Sequence, residues 1–91
     1  ITGAYAERLI MEGSRAVGVT IARDDGTTQD FFGKETIVCA GAIQSPKLLQ
    51  LSGIGPAETL RAIGIDVVRD SPGVGANLIE HRYMRFQYRL P

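Results

Sequence analysis

The sequence has little cysteine and no tryptophan. Its single cysteine, Cys39, cannot form an internal disulfide, so a disulfide-stabilised scaffold is excluded. Cys39 lies in the apolar run TIVCA (residues 36–40), which predicts a buried side chain that acts as a small hydrophobe. No histidine or basic cluster stands close in sequence to activate the thiol, so a reactive cysteine is not indicated.

The sequence also lacks a net charge, because 10 Lys+Arg balance 10 Asp+Glu. A basic nucleic-acid-binding surface and an acidic tail are therefore not expected. No apolar run approaches the roughly 20 residues of a membrane-spanning helix. The first residues carry no initiator methionine and no leader pattern, which suggests an internal piece of a longer polypeptide. The cellular location is undetermined, with the cytoplasm as the default expectation.

The chain is too short for a complete cofactor enzyme. Its 91 residues allow one small domain with a thin core, whereas most flavin or nicotinamide enzymes need a nucleotide-binding domain and a substrate domain. We therefore interpret residues 1–91 as a single partial domain. Apolar residues make up 44% of the chain, which is typical of a folded protein rather than a disordered tail.

The first third of the sequence predicts a β-meander. Alternating side chains over residues 4–11, and valine and isoleucine recurring with period two over 17–21, each predict a strand. Residues 29–32 predict a return strand after the turn signal Asp24-Asp25-Gly26, in which glycine accepts a positive φ. We expect the first strand to be buried on much of both faces.

The rest of the sequence predicts short helices and strands. Residues 36–40 predict a strand buried in a parallel sheet, residues 46–52 a helix capped by Ser45, and Pro56 the start of a second helix. That helix should bury Leu60 and Ile63 and end at Gly64. Short strands are predicted over 65–68 and 83–90. The fold class is therefore α/β, or mixed α+β: a meander, a buried strand, two short helices and further short strands.

The junction Ala40-Gly41-Ala42 joins the predicted buried strand to a helix. Small residues at a strand end let another molecule approach the backbone, and a helix that begins there favours a phosphate. Tight packing within the protein is the more common reason for small residues at the end of a strand. The usual Gly-x-Gly-x-x-Gly phosphate motif after a first strand is absent.

His81 is the only histidine, and general acid–base catalysis by histidine would have to use it. Glu80 stands beside it, but adjacent residues of an extended segment point to opposite faces. A structural or solvent-facing histidine is therefore favoured over an independent enzyme built on His81. No cluster of His, Cys, Asp and Glu has metal-ligand spacing, so no metal site is predicted.

Two motifs resemble the GMC (glucose–methanol–choline) oxidoreductases. GAIQSPKLLQLSGIGP (residues 41–56) resembles the second signature of that family, and PGVGANLIEH (72–81) resembles its Pro-Gly-Val-Gly-x-Asn-Leu-x-Asp-His motif. Glu80 replaces the usual aspartate and keeps the charge. The segments TGA (2–4), RLI (8–10) and RAVGV (15–19) resemble the run before the signature, so the resemblance covers essentially the whole chain.

The resemblance implies FAD-dependent oxidation of a small alcohol by hydride transfer to the flavin, in the choline-dehydrogenase-like branch. The chain would be an internal fragment of the Rossmann-like FAD-binding domain, its C-terminal part. Ala6 would offer its backbone to the adenine, Ala40 and Gly41 would lie along the ADP half, and Ser45 would chiefly cap the following helix. These four residues are the cofactor-binding candidates that the resemblance implies.

The resemblance also implies what the chain does not contain. The N-terminal Gly-rich dinucleotide motif and the catalytic histidine pair of the family are not in this sequence, so we assign no catalytic residue and expect weak or no FAD binding by the isolated chain. Its partner would be the remainder of the flavoprotein. The alternative is a non-catalytic α/β module that forms homo-oligomers through exposed strand edges.

Overall fold

A computed structural model describes residues 1–90 and begins with a three-stranded antiparallel sheet. Its strands are β1 (Ala4–Glu12), β2 (Arg15–Arg23) and β3 (Thr28–Phe32), in the order β1-β2-β3. The predicted meander is confirmed. Gly13 (φ 59°) and Gly26 (φ 82°) lie in its two turns, where the positive φ favours glycine.

β1 is less buried than its pattern predicts. The pairing with β2 shifts register between Ala6 and Arg8, which is the signature of a β-bulge and interrupts the alternation of side chains. Only Leu9 of this strand is buried, and Tyr5 is 75% exposed. The prediction that β1 is buried on much of both faces is therefore wrong for this structure, in which its main packing partners are β2 and α1.

Helix α1 runs over Gly41–Leu51 and begins earlier than the sequence predicts. Its N-cap is Ala40, so the prediction that Ser45 caps a helix beginning at Pro46 is wrong. Gly41 has a φ of 84°, which L-residues with a side chain rarely adopt, and it turns the chain into the helix upstream of the proline. Pro46 lies inside the helix, where its missing N–H leaves the carbonyl of Ala42 without the usual helical partner.

The second helical unit follows directly. β4 (Ile54–Gly55) pairs in parallel with β5 (Arg69–Asp70), and α2 (Ala57–Ala62) connects them, with Pro56 as its N-cap. Leu60 is completely buried, as predicted, but Ile63 is 63% exposed because it lies after the last helical residue. The strand predicted over 65–68 does not form at those residues; the strand of this region is β5, at residues 69–70.

Two predicted strands do not form. Residues 36–40 and 83–90 belong to neither a helix nor a strand, and Cys39 is exposed rather than buried. A strand of a parallel sheet needs neighbours on both sides and cover on both faces, and residues 1–90 place no partner strand beside either segment. The local pattern therefore remains without the long-range pairing that would make it a strand.

The core lies between the sheet and α1, with α2 beside it. Its buried apolar side chains are Leu9, Ile21, Leu48 and Leu60. The architecture is a mixed α/β arrangement, as the sequence predicts, and it positions the start of β1 beside α1.

Candidate functional site

A cleft of about 330 Å³ separates the start of β1 from α1. We call it the Ala6–Ala40 cleft, because it brings together two candidates that are 34 positions apart in the sequence (40 − 6). β1 contributes Ala4, Tyr5 and Ala6, and the other wall consists of Ala40, Gln44, Lys47, Leu48 and Leu51. Because the side chains at positions 4, 6 and 40 are small, the backbone itself forms part of both walls, and room for a flat ligand remains between them.

Gly41 follows the lining residue Ala40 in the chain and is not itself one of the residues that line the cleft. A Cβ built on Gly41 would meet no atom within 4 Å, so open space lies on the side where a side chain would project. Tight packing against this glycine, the other explanation for a small residue here, is therefore not what requires a glycine at position 41 in this structure. Its positive φ and its open surroundings agree with a backbone that another molecule approaches closely.

Ser45 supports the wall of the cleft through a hydrogen bond to Ala40 that the sequence does not indicate. Its Oγ accepts a hydrogen bond from the backbone N–H of Ala40 over 3.0 Å. The hydroxyl therefore fixes the backbone where the chain enters α1, and this N–H is already occupied. Ser45 acts on the cleft through Ala40 and does not line it.

The chemistry of the cleft is that of a binding site. Lys47 is the one charged side chain among its lining residues, Gln44 supplies an amide, and Tyr5 presents an aromatic ring. An aromatic base can pack on a tyrosine ring and aliphatic side chains, and an ammonium group attracts a phosphate. The eight lining residues include no carboxylate, thiol or imidazole.

A second cleft, of about 400 Å³, lies on the other side of α1. Residues 75–79 form one wall, and Ile43, Lys47 and Gln50 are among the residues of the other. The two family-like motifs, 41–56 and 72–81, therefore pack together along this helix. Asn77 adopts a φ of 58°, which is uncommon outside glycine but tolerated by asparagine.

His81 does not belong to either cleft. It is exposed, and its backbone N–H donates to Oε1 of Glu80 over 3.0 Å. Within residues 1–90, no group of three or more His, Cys, Asp or Glu side chains is arranged to hold a metal ion.

Comparison with known protein families identifies the family of this chain. The sequence model of the GMC oxidoreductases matches residues 1–83, which is nearly the whole chain. The chain belongs to the GMC oxidoreductase family. The resemblance carried by motifs 41–56 and 72–81 is thereby confirmed.

Curated relatives of this GMC chain include choline dehydrogenases. It is 47% identical over 88 residues to the oxygen-dependent choline dehydrogenase of Stenotrophomonas maltophilia (strain K279a), covering 97% of this chain and 16% of the relative. It is 49% identical over 90 residues to the enzyme of the same name from Pseudomonas savastanoi pv. phaseolicola, with the same shares covered. The chain thus spans about one sixth of the length of these relatives.

Solved structures share the fold. Superposition on a formate oxidase gives a TM-score of 0.76 at 39% identity, over 79% of this chain and 13% of that one. A pyridoxine 4-oxidase from Mesorbium loti gives 0.71 at 35% identity, over 76% and 13%. An FAD-dependent oxidoreductase from Chaetomium thermophilum gives 0.74 at 36% identity, over 80% and 13%.

FAD is the cofactor of this family, and the chain corresponds to a part of its N-terminal FAD-binding region. The small-residue walls and the cationic Lys47 of the Ala6–Ala40 cleft are compatible in their chemistry with an aromatic base and a phosphate group. No helix among residues 1–90 is long and apolar enough to cross a membrane.

Proposed function

We propose that residues 1–91 form the C-terminal part of an FAD-binding domain in a larger GMC flavoprotein, and that the Ala6–Ala40 cleft receives the ADP half of FAD. The single observation that carries this proposal is the open side of Gly41 beside the cleft, at a φ that favours glycine. Four candidates then act together: Ala6, Ala40 and Gly41 offer backbone surface, and Ser45 holds Ala40 in place.

The charges and surfaces around the cleft support this assignment. The amino-terminal end of α1 carries the positive end of the helix dipole, and Lys47 stands on the same helix at the cleft. Both favour a phosphate. Tyr5 and Leu51 offer flat and apolar surface for a base, with the amide of Gln44 in the same lining.

When bound, FAD supplies the acceptor for a hydride from the carbinol carbon of the substrate. The residues of this chain bind and orient the nucleotide end of the cofactor and exclude water from it. We propose that the proton of the alcohol is removed by residues outside this chain, since the cleft lining has no carboxylate, thiol or imidazole.

We propose a small alcohol as the substrate of the larger protein, with choline as the first to test. The support is the group of choline dehydrogenases at 46–49% identity. The solved relatives include a formate oxidase and a pyridoxine 4-oxidase, so the same fold serves several substrates. A direct test is flavin reduction by choline, pyridoxine and formate in the larger protein.

The cofactor assignment is tested by replacing Gly41 with valine in the larger flavoprotein. Gly26→Val is the matched control, because Gly26 has nearly the same φ (82° against 84°) and also open surroundings, but lies in a hairpin turn away from the cleft. Both variants carry the same backbone strain. We expect Gly41→Val to lose most of its FAD, measured as the ratio of flavin to protein absorbance, while Gly26→Val retains it.

Equal FAD content in the two variants would contradict the assignment. Ala6→Leu fills the cleft without strain at a positive φ, so it tests the same assignment if Gly41→Val does not fold. The isolated 91-residue chain should bind FAD weakly or not at all, and tight stoichiometric binding by it would overturn the view that this is a partial site.

We propose, as a second function, that the isolated chain self-associates. The observations behind it are the row of exposed apolar side chains in the unpaired segment 83–90 and the position of β3 as an edge strand of the sheet. Strand addition between copies would cover both. Sedimentation of the chain should then show a dimer or larger species that a version ending at residue 82 does not form, and a monomer at all concentrations would exclude it.

A further inference from the structure

Ser52 joins the two elements that form the Ala6–Ala40 cleft. It is the residue after α1, it is buried, and its Oγ donates a hydrogen bond to the carbonyl oxygen of Leu48 over 2.6 Å. The same Oγ accepts a hydrogen bond from the backbone N–H of Leu9 on β1 over 2.8 Å. One hydroxyl therefore connects the last turn of the helix to the middle of the strand.

The bond to Leu9 satisfies a group that the sheet leaves free. β1 is an edge strand, with β2 on only one of its sides, so its other edge needs partners from outside the sheet. Leu9 and Ser52 are both buried, so water cannot replace the hydroxyl without opening the contact. The bulge between Ala6 and Arg8 lies immediately before this anchor and sets the direction of the strand that enters it.

The anchored residues lie next to the cleft in the chain. Leu48 is part of the wall formed by α1, and Leu9 follows the wall residue Ala6 by three positions. A shift at Ser52 therefore changes the distance between the two walls, not only the stability of the fold. Backbone contacts to a ligand depend steeply on such distances, since hydrogen bonds weaken beyond about 3.2 Å.

We propose that Ser52 is a positioning residue for the cofactor, which sets the separation of the walls that receive the ADP half of FAD. This inference rests on the function proposed for the cleft. Ser52 does not touch the cofactor itself; it acts through Leu9 and Leu48. Its hydroxyl is thus more than a helix C-cap.

The experiment compares Ser52→Ala with Thr20→Val in the larger flavoprotein. Thr20 is also buried, and its Oγ1 donates to Oδ1 of Asp30 over 2.7 Å, but it joins β2 to β3 and does not line the cleft. Each variant removes one buried hydroxyl, so both lower the unfolding temperature. We expect Ser52→Ala to raise the Kd for FAD by about tenfold and Thr20→Val by less than about twofold.

The Kd is measured by quenching of flavin fluorescence as the apoprotein is reconstituted, and hydrogen exchange of the Leu9 amide is followed in parallel. Exchange at Leu9 should accelerate in Ser52→Ala and not in Thr20→Val. Ser52→Cys keeps a weak donor and acceptor with longer bonds, and should give an intermediate Kd. It also serves as the test if the alanine variant does not fold.

An unchanged Kd in Ser52→Ala, or equal changes in both variants, would overturn the proposal. The Gly41→Val variant separates the two assignments. If it loses FAD while Ser52→Ala does not, the cleft is the cofactor site and Ser52 is purely structural. If neither variant changes FAD binding, the function proposed for the cleft is wrong as well.

Discussion

The side-chain amide of Gln50 donates a hydrogen bond to the carbonyl oxygen of Val74, with 3.1 Å between Nε2 and the oxygen. This bond ties α1 to the turn at 72–75, and so joins the two GMC motifs of the chain. The contact is close, since a Cβ added to Gly75 would lie only 2.7 Å from Nε2 of Gln50. The absence of a side chain at Gly75 therefore leaves the space that the Gln50 side chain occupies.

Gln50→Ala should lower the free energy of unfolding by about 1 kcal/mol, because it removes a half-buried hydrogen bond and the packing of the side chain. Gln44→Ala is the control on the same helix, since Gln44 is exposed and makes no comparable bond within residues 1–90. Urea denaturation of the chain, followed by circular dichroism, measures both. Equal stability of the two variants would show that the Gln50 bond contributes nothing.

Leu60→Ala should destabilise the chain by about 2–4 kcal/mol, since Leu60 is fully buried and its loss leaves a cavity. Ile63→Ala, three residues later, removes a similar side chain that is 63% exposed, and should cost under about 1 kcal/mol. Denaturation midpoints give the comparison. A larger loss for Ile63 would mean that the end of α2 packs differently from the structure.

Gly53→Ala should destabilise the fold by about 2–4 kcal/mol, because the residue has a φ of 81° and its added Cβ would lie 2.4 Å from the carbonyl oxygen of Asp66. Gly73→Ala is the matched control, since nothing lies within 4 Å of its Cβ and its φ is not positive. Thermal unfolding should separate them clearly. A Gly53→Ala variant as stable as Gly73→Ala would contradict the close packing of 53 on 66.

The carboxyl of Asp25 has its pKa lowered from 3.8, chiefly because it accepts a hydrogen bond from the Thr27 hydroxyl, then one from the Thr27 backbone N–H. Since the folded pKa is below the unfolded one, this stabilisation is present above about pH 4 and is lost as the pH falls through the folded pKa. Thr27→Val should raise the pKa of Asp25, measured by NMR titration. Thr28→Val should not, and a pKa unchanged by Thr27→Val would exclude the hydroxyl as the main cause.

The parts of the fold that depend on nearby residues could be predicted from the sequence. The meander follows from alternating side chains and from glycine turns such as that at Gly26, and α2 follows from Pro56 and Leu60. These signals are local, because the partner groups lie within a few residues of each other along the chain.

The start of α1 could not be predicted in the same way. Ser45 followed by Pro46 is a typical helix start, but the left-handed turn at Gly41 begins the helix earlier and redirects the serine hydroxyl to Ala40. The segments 36–40 and 83–90 show the same limit for strands, since their pattern specifies a pairing that residues 1–90 do not supply.

The candidate site was predictable in part. The family resemblance implied Ala6, Ala40, Gly41 and Ser45, and the first two line one cleft. Lys47 and Ser52 lie within the motif 41–56, but the sequence assigned neither a role at the site, because their contacts arise from the approach of β1 to α1 across some 40 positions of the chain. The serine at 52 reads in the sequence only as the end of a helix.

The segment 33–40 is an exposed connection that proteases can reach. It joins the meander to the helical unit without belonging to a helix or strand, and most of its residues are exposed, so proteases should cleave the connection between β3 and α1 here. The two halves should then remain associated, because β1 and α1 pack against each other and Leu9 stays bonded to Ser52 across the cut. The connection that proteases can cut, residues 33–40, is therefore separate from the contact that holds the two halves together.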